Sequence, residues 1–134
     1  MDVVEQWPEQ NGVAMRNVLV VEDNSIIVTL LRHLLERRGY VVETAVDGRE
    51  ALARLQGEPP GLVLLDVMLP YTDGFEIIRQ MRSIPSWSSV PVIMLTAKAQ
   101  ERNVVRALDA GANDYVIKPF KPEELAARVR RFFP

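Results

Sequence analysis

Two rhythms of apolar residues alternate along the chain. From Asn17 the run "NVLVVE" is short, β-branched and almost continuously apolar, as a strand covered on both faces requires. "NSIIVTLLRHLLERRG" then places Ile27, Leu30, Leu31 and Leu34 at helical spacing, and Gly39 supplies the stop. "YVVETAV" is the next strand. "DGREALARLQG" opens on Asp47 with Glu50 three residues on, a capping-box-like helix start. The pairing recurs three more times. "GLVLLD" leads through a turn-rich stretch to "GFEIIRQMRSI", "VPVIMLT" leads to "ERNVVRALDAG", and "DYVIK" leads past Pro119 and Pro122 to "EELAARVRRFF". Within the third unit, Asp73–Gly74 reads as turn and helix start.

Alternating β and α with nearly continuous apolar strands predicts an α/β fold, a five-stranded parallel sheet with helices on both faces. Right-handed crossovers make it doubly wound, and the order 2-1-3-4-5 is the flavodoxin-like arrangement. In such sheets ligands bind beyond the carboxyl ends of the strands, where the strand order switches. The domain runs over residues 17–134. Residues 1–16 show no sustained periodicity and contain Pro8, Asn11 and Gly12, so they read as a partly disordered extension in which Trp7 alone is suited to docking.

Composition narrows the function. Of 134 residues 48% are hydrophobic and 25% charged, which suits one globular domain with a full core. Sixteen Lys plus Arg against eighteen Asp plus Glu give a net charge of -2, without the basic excess of a nucleic-acid binder. The chain has no cysteine, which excludes disulfides and thiolate sites. No apolar run reaches membrane-spanning length, and the first residues lack the basic start and apolar stretch of a signal peptide. The expectation is a cytoplasmic domain that contacts neither membrane nor nucleic acid.

The chemistry lies at the strand ends. Strand one ends in Glu22 and Asp23, strand three in Asp66, strand four in Thr96 and strand five in Lys118, whereas strand two ends in "TAV" with nothing ionic. If the order is 2-1-3-4-5, strands one and three are neighbours at the switch point, and three carboxylates then face one crevice. Acids that close repel and raise one another's pKa unless a cation sits among them. A hard divalent ion, Mg²⁺ foremost, takes carboxylate, carbonyl, water and phosphate oxygens. A carboxylate beside Mg²⁺, a lysine and a hydroxyl can attack a phosphoryl group and form an acyl phosphate. Asp66 follows the most apolar strand and is the nucleophile of choice. Glu22 and Asp23 hold the metal, and Val67, Met68 and Leu69 wall the site against water.

In this order, "VVEDN", "LLDVMLPYTDG", "VIMLTA" and "DYVIKPF" resemble the receiver domain of two-component response regulators, the chemotaxis regulator among them. The resemblance implies transfer from a histidine kinase, or a phosphotransfer protein, onto Asp66. It also implies Mg²⁺ bound by Glu22 or Asp23, by Asp66 and by the backbone carbonyl of Met68. Thr96 and Lys118 contact the phosphoryl group, Tyr115 is the aromatic switch and Lys118–Pro119 is cis. Such a domain is a signalling module rather than an enzyme, catalysing only its own phosphorylation and slow dephosphorylation. Met68 and Lys98, two positions beyond Asp66 and Thr96, offer no acid or amide to hold the hydrolytic water. His33, the one histidine, falls off the apolar stripe of its helix and reads as a surface residue.

Two other functions compete. A haloacid-dehalogenase-type phosphatase needs a second Asp two residues after the nucleophile, where Met68 stands. A flavodoxin-like cofactor module needs a hydroxyl- and glycine-rich phosphate loop, where "EDNSII" places acids that repel FMN phosphate.

The surface of the fourth helix, fifth strand and fifth helix resembles the dimer face of transcriptional receivers. Val105, Leu108 and Ala126 form its apolar patch. Asp109 with Arg130 and Asp114 with Arg128 are the expected pairs across a two-fold axis, and Glu124 meets Val104 where a basic residue is expected. A weak homodimer, strengthened by phosphorylation, follows from it. The "PSWSS" insertion before strand four instead resembles stand-alone, cyclase-linked and hybrid-kinase receivers. These residues hold no output domain, so a stand-alone regulator and the receiver of a longer protein both stay open.

Overall fold

The computed structural model describes residues 16–97 and 101–133, and the expectations for Trp7, the extension and Lys98 lie outside them. Ten elements alternate: β1 (Asn17–Val21), α1 (Ser25–Glu36), β2 (Val41–Ala45), α2 (Gly48–Arg54), β3 (Leu62–Asp66), α3 (Gly74–Ser83), β4 (Val92–Ala97), α4 (Glu101–Ala110), β5 (Asp114–Lys118) and α5 (Pro122–Arg130). The strands form one parallel sheet in the order β2-β1-β3-β4-β5, with Val18 beside Leu62 and Asp66 beside Leu95.

The strand runs that look uniformly apolar divide by the two-residue period of the pleat. Leu19, Val21, Val63, Leu65, Val92 and Met94 pack with α2, α3 and α4. Val18, Val20, Leu62, Leu64, Ile93, Leu95 and Val116 pack with Leu31, Leu34 and Leu35 of α1 and with Leu125 and Val129 of α5. Helix α1 corrects the expected stripe. Leu30 is 53% exposed and Ile27 half-buried, while Leu35 is fully enclosed. The helix seats on Leu31–Leu34–Leu35, one residue further round than Ile27–Leu30–Leu31–Leu34.

Side chains start the helices where the pattern places them. Asn24 accepts from the Ile26 and Ile27 amides, Asp47 from Glu50 and Asp73 from Glu76. The Glu50 carboxylate closes its box on the Val46 amide at 3.0 Å. Gly39 ends α1 at φ +89°, a left-handed turn that glycine adopts without strain.

The "PSWSS" insertion is anchored in the core by Trp87, while its other four residues are exposed. Trp87 is fully buried, donates from Nε1 to the Gly57 carbonyl at 3.1 Å and ties α2's end to the α3–β4 loop. Beneath it Arg82 fans out to the carbonyls of Trp87, Ser88, Val90 and Gly111 and to Asn113 Oδ1. Those bonds join α3, the α3–β4 loop and the α4–β5 loop at the amino ends of the strands. The carboxyl ends, on the opposite edge, are left to charged groups.

Candidate functional site

Each chemical residue stands at or just beyond the carboxyl end of its strand. Glu22 and Asp23 follow β1, Asp66 closes β3, Thr96 is the penultimate residue of β4 and Lys118 closes β5. Carboxylate oxygens of Glu22, Asp23 and Asp66 lie within 4.8 Å of one another. Glu22 and Asp66 are buried, and Asp23 is exposed at the mouth.

Glu22 is held from two sides. Its Oε2 accepts from the Asn24 amide at 3.1 Å, and its Oε1 faces Lys118 Nζ at 2.8 Å. Among the described residues the Lys118 ammonium is the one group that meets this buried oxygen. Asn24 thus caps α1 with its side chain and orients Glu22 with its backbone, a role that sequence reasoning missed; the Asn-Ser pair before an apolar run was its signal.

Asp66 lies 3.3 Å from Lys118 Nζ through Oδ1, which also receives a long bond from the Met68 amide at 3.4 Å. Burial first, then the neighbouring Glu22 charge, raises its pKa from 3.8 to about 6 against the opposing pull of Lys118 and the Met68 amide. Burial pulls the Lys118 ammonium down, but its bonds and charge contacts with Glu22 and Asp66 outweigh this and leave its pKa above the usual lysine value. The site therefore carries more negative charge than its one lysine compensates.

Its floor is fixed by a glycine. Gly74 donates to the Val67 carbonyl at 2.9 Å, and a Cβ there would stand 2.6 Å from the Asp66 carbonyl oxygen. The start of α3 is thereby pressed onto the backbone of Asp66. Asp73 caps that helix, as its sequence position indicates. The expected apolar wall is only partly built: Val67 is buried and Leu69 packs on the core, but the Met68 side chain is 73% exposed. A side chain leaving a strand's end on the solvent face has nothing to pack against.

Thr96 is buried, and its hydroxyl makes only a 3.4 Å contact with the Ala97 carbonyl. It opposes Ile117 in the β4–β5 register. Tyr115, two residues earlier on β5, packs on the α2–α3–α4 layer, the layer that the alternation of β4 through Met94 also assigns to Thr96. Threonine and tyrosine are thus diagonal neighbours on one face. The Lys118–Pro119 bond is cis, as expected. Tyr115, Ile117, Lys118, Lys121, Glu124 and Arg128 line an open groove of about 610 Å³.

The α4–β5–α5 face departs from expectation in two ways. Val105 and Leu108 are exposed, but Ala126 is 1% exposed and belongs to the buried face of α5 with Leu125 and Val129. A small side chain beside two core anchors follows them inward. Arg128 is bonded within the chain to both Asp114 oxygens, at 2.9 and 3.0 Å, and to Glu124 at 3.0 Å. Arg131, not singled out from sequence, adds a third contact to Asp114 at 3.3 Å. His33 is exposed, as expected.

A doubly wound sheet with three acids and a lysine at the switch point defines a flavodoxin-like domain built around a small acidic crevice. Residues 18–130 match the model of the response regulator receiver domain, and the chain belongs to that family. It is 50% identical over 115 residues to the alkaline phosphatase synthesis transcriptional regulatory protein PhoP of Bacillus subtilis, covering 86% of this chain and 47% of that protein. With the phosphate regulon transcriptional regulatory protein PhoB of Rhizobium meliloti it shares 47% over 113 residues, 84% of this chain and 50% of that one. Among solved structures, the chemotaxis response regulator CheY4 of Vibrio cholerae superposes with a TM-score of 0.81 at 35% identity, covering 87% and 97% of the two chains. The receiver domain of a signal transduction histidine kinase from Syntrophus aciditrophicus gives 0.80 at 38%, covering 87% and 89%. The chain spans about half the length of the curated relatives it matches. The likeness extends to transcriptional regulators and to a kinase-borne receiver. It is a two-component signalling domain, and nothing supports the phosphatase or flavodoxin alternatives. No described helix is long and apolar enough to cross a membrane.

Proposed function

We propose that Asp66 is the phospho-acceptor and takes its phosphoryl group from a phosphohistidine of a histidine kinase or phosphotransfer protein. The Asp66 carboxylate attacks phosphorus, the O–P bond forms as the N–P bond breaks, and the leaving imidazole nitrogen keeps the electron pair. The observation that carries this reading is the position of Lys118 Nζ, 3.3 Å from Asp66 and 2.8 Å from Glu22. A cation already seated on the nucleophile is ready to meet the phosphoryl oxygens.

Mg²⁺ suits this donor set, because three carboxylates within 4.8 Å leave a surplus of negative charge that Lys118 alone does not balance. Glu22, Asp23, Asp66 and the Met68 carbonyl would hold it. When bound it neutralises charge on the phosphoryl oxygens. Thr96 offers its weakly engaged hydroxyl to the phosphoryl group and moves inward. Tyr115, its diagonal neighbour, then rotates and alters the α4–β5–α5 face. That face would support a weak homodimer through Asp109 and Arg130, with Arg128 exchanging its in-chain Asp114 for the partner's. In the longer relatives the comparable domain belongs to transcriptional regulators, and control of an output domain, DNA-binding or other, is the corresponding proposal here.

Acetyl phosphate with Mg²⁺ tests the assignment by intact mass. Wild type should gain one phosphoryl group that both acid and base release, as an acyl phosphate requires, and Asp66→Asn none. Labelling that persists in the Asn variant, or that proceeds equally in chelator, would refute it.

A further inference from the structure

Among the described residues the backbone has positive φ at Gly39, at Gly111 and at one residue with a side chain, Tyr71, at +76°. A bulky side chain in the left-handed region is strained, and glycine or asparagine would relieve it. Tyr71 gains no burial in return, being 69% exposed. The needs of its loop are met by its neighbours: the Pro70 carbonyl accepts from Gly48, Thr72 lies against Gly48, and Asp73 caps α3. What Tyr71 does have is a guanidinium, with Arg49 Cζ 3.8 Å from the ring centroid. Arg49 is itself exposed, so the stack stands at the surface and orders a ring that the fold does not use.

The stacked ring stands on the loop that follows Asp66. Tyr71 lies five residues after Asp66, in the loop that also carries the exposed Met68, and Val46, 46% exposed, lies on the β2–α2 loop next to Arg49. Tyr71, Met68 and Arg49, of the residue types enriched in interface cores, are all exposed, with Val46, on the β3–α3 loop and the β2–α2 junction. Strain without burial is accounted for when the ring is buried by something outside the chain.

We propose that the Tyr71–Arg49 stack is a recognition element for the protein that carries the phosphohistidine donor. The inference rests on Asp66 being the acceptor. A macromolecular donor that delivers a phosphoryl group to Asp66 covers the rim of the crevice and buries Tyr71. A small donor such as acetyl phosphate enters without touching it. Tyr71 therefore discriminates between donors and takes no part in the chemistry.

The experiment compares the two donors on the whole chain. The protein donor is the autophosphorylated cytoplasmic portion of a histidine kinase selected for its ability to phosphorylate wild type. Tyr71→Gly should be at least as resistant to urea as wild type and should label normally with acetyl phosphate. Its kcat/KM for transfer from the kinase should fall about tenfold, mainly through KM, as loss of a central interface residue does. Tyr71→Phe should retain most of the rate, and Arg49→Gln should lie between. Transfer to Tyr71→Gly within about twofold of wild type overturns the proposal; so does an equal loss with acetyl phosphate, which would place the ring in the acceptor's own chemistry. Failure of wild type to label with acetyl phosphate strikes the acceptor assignment itself, a separate result.

Discussion

Replacing Asp66 by Asn should stabilise the domain at neutral pH. The Asp66 pKa stands at about 6, against 3.8 for an unperturbed Asp, because the fold encloses it and sets Glu22 beside it. A carboxyl whose pKa is raised on folding contributes stability below its unfolded pKa and loses it as pH rises through its folded pKa. The loss falls between pH 4 and 6. Two units at 1.36 kcal/mol each put the ionisation penalty at about 3 kcal/mol, and the near-complete burial of the side chain means little of it is screened. Asn keeps the size and removes the charge, so the variant should gain about 1–3 kcal/mol at pH 7.5. Urea unfolding of both proteins at pH 7.5 and at pH 4 reads this directly. The advantage should shrink towards zero at pH 4, where wild-type Asp66 holds its proton, and Mg²⁺ at pH 7.5 should narrow it by stabilising wild type alone. An Asn variant no more stable than wild type at pH 7.5, or one whose advantage is unchanged at pH 4, would refute the electrostatic account.

Gly74→Ala forces a methyl group onto the Asp66 carbonyl and should cost about 2–3 kcal/mol in urea unfolding, with slower acetyl phosphate labelling. A neutral effect would mean that α3 is not pressed against the acceptor. Met68→Asn with Lys98→Glu supplies water-holding groups and should speed loss of the phosphoryl label; unchanged decay of isolated phosphoprotein would count against that role. Arg128→Glu places three acids together at Asp114 and Glu124 and should weaken any dimer seen by sedimentation with beryllium fluoride. A wild type that stays monomeric with and without beryllium fluoride would assign the face to another partner.

The topology, and the gathering of Glu22, Asp23, Asp66 and Lys118 in one crevice, were legible from sequence for the same reason. Four of the five strands carry a chemical residue at or just beyond their carboxyl end and β2 carries none, so reading the strand ends in order picked out Glu22, Asp23, Asp66, Thr96 and Lys118. Phase was harder to read than period. Leu30, Leu31, Leu34 and Leu35 are all apolar, and only packing against the sheet selects the last three for burial. Ala126 misled similarly, because an alanine carries too little apolar area to announce its side and follows Leu125 and Val129. Asp114 and Arg128 are complementary by charge, but charge does not say whether a pair closes within one chain or between two. The strained Tyr71 left no mark in the pattern at all, since a backbone angle shows only once the loop is built.

Arg82 and the acceptor crevice divide the domain into two ends made of different materials. At the amino ends of the strands a guanidinium is bound by backbone carbonyls and an amide oxygen, none of which titrates near neutrality. At the carboxyl ends carboxylates and an ammonium stand together, with the central pKa only about one unit below physiological pH. Acid and dissolved salt therefore have little purchase on the first end and direct purchase on the second. A fall in pH to about 6 begins to neutralise Asp66 while the far end of the sheet stays sewn together, so the charge of the crevice can be lost and regained without the chain having to refold.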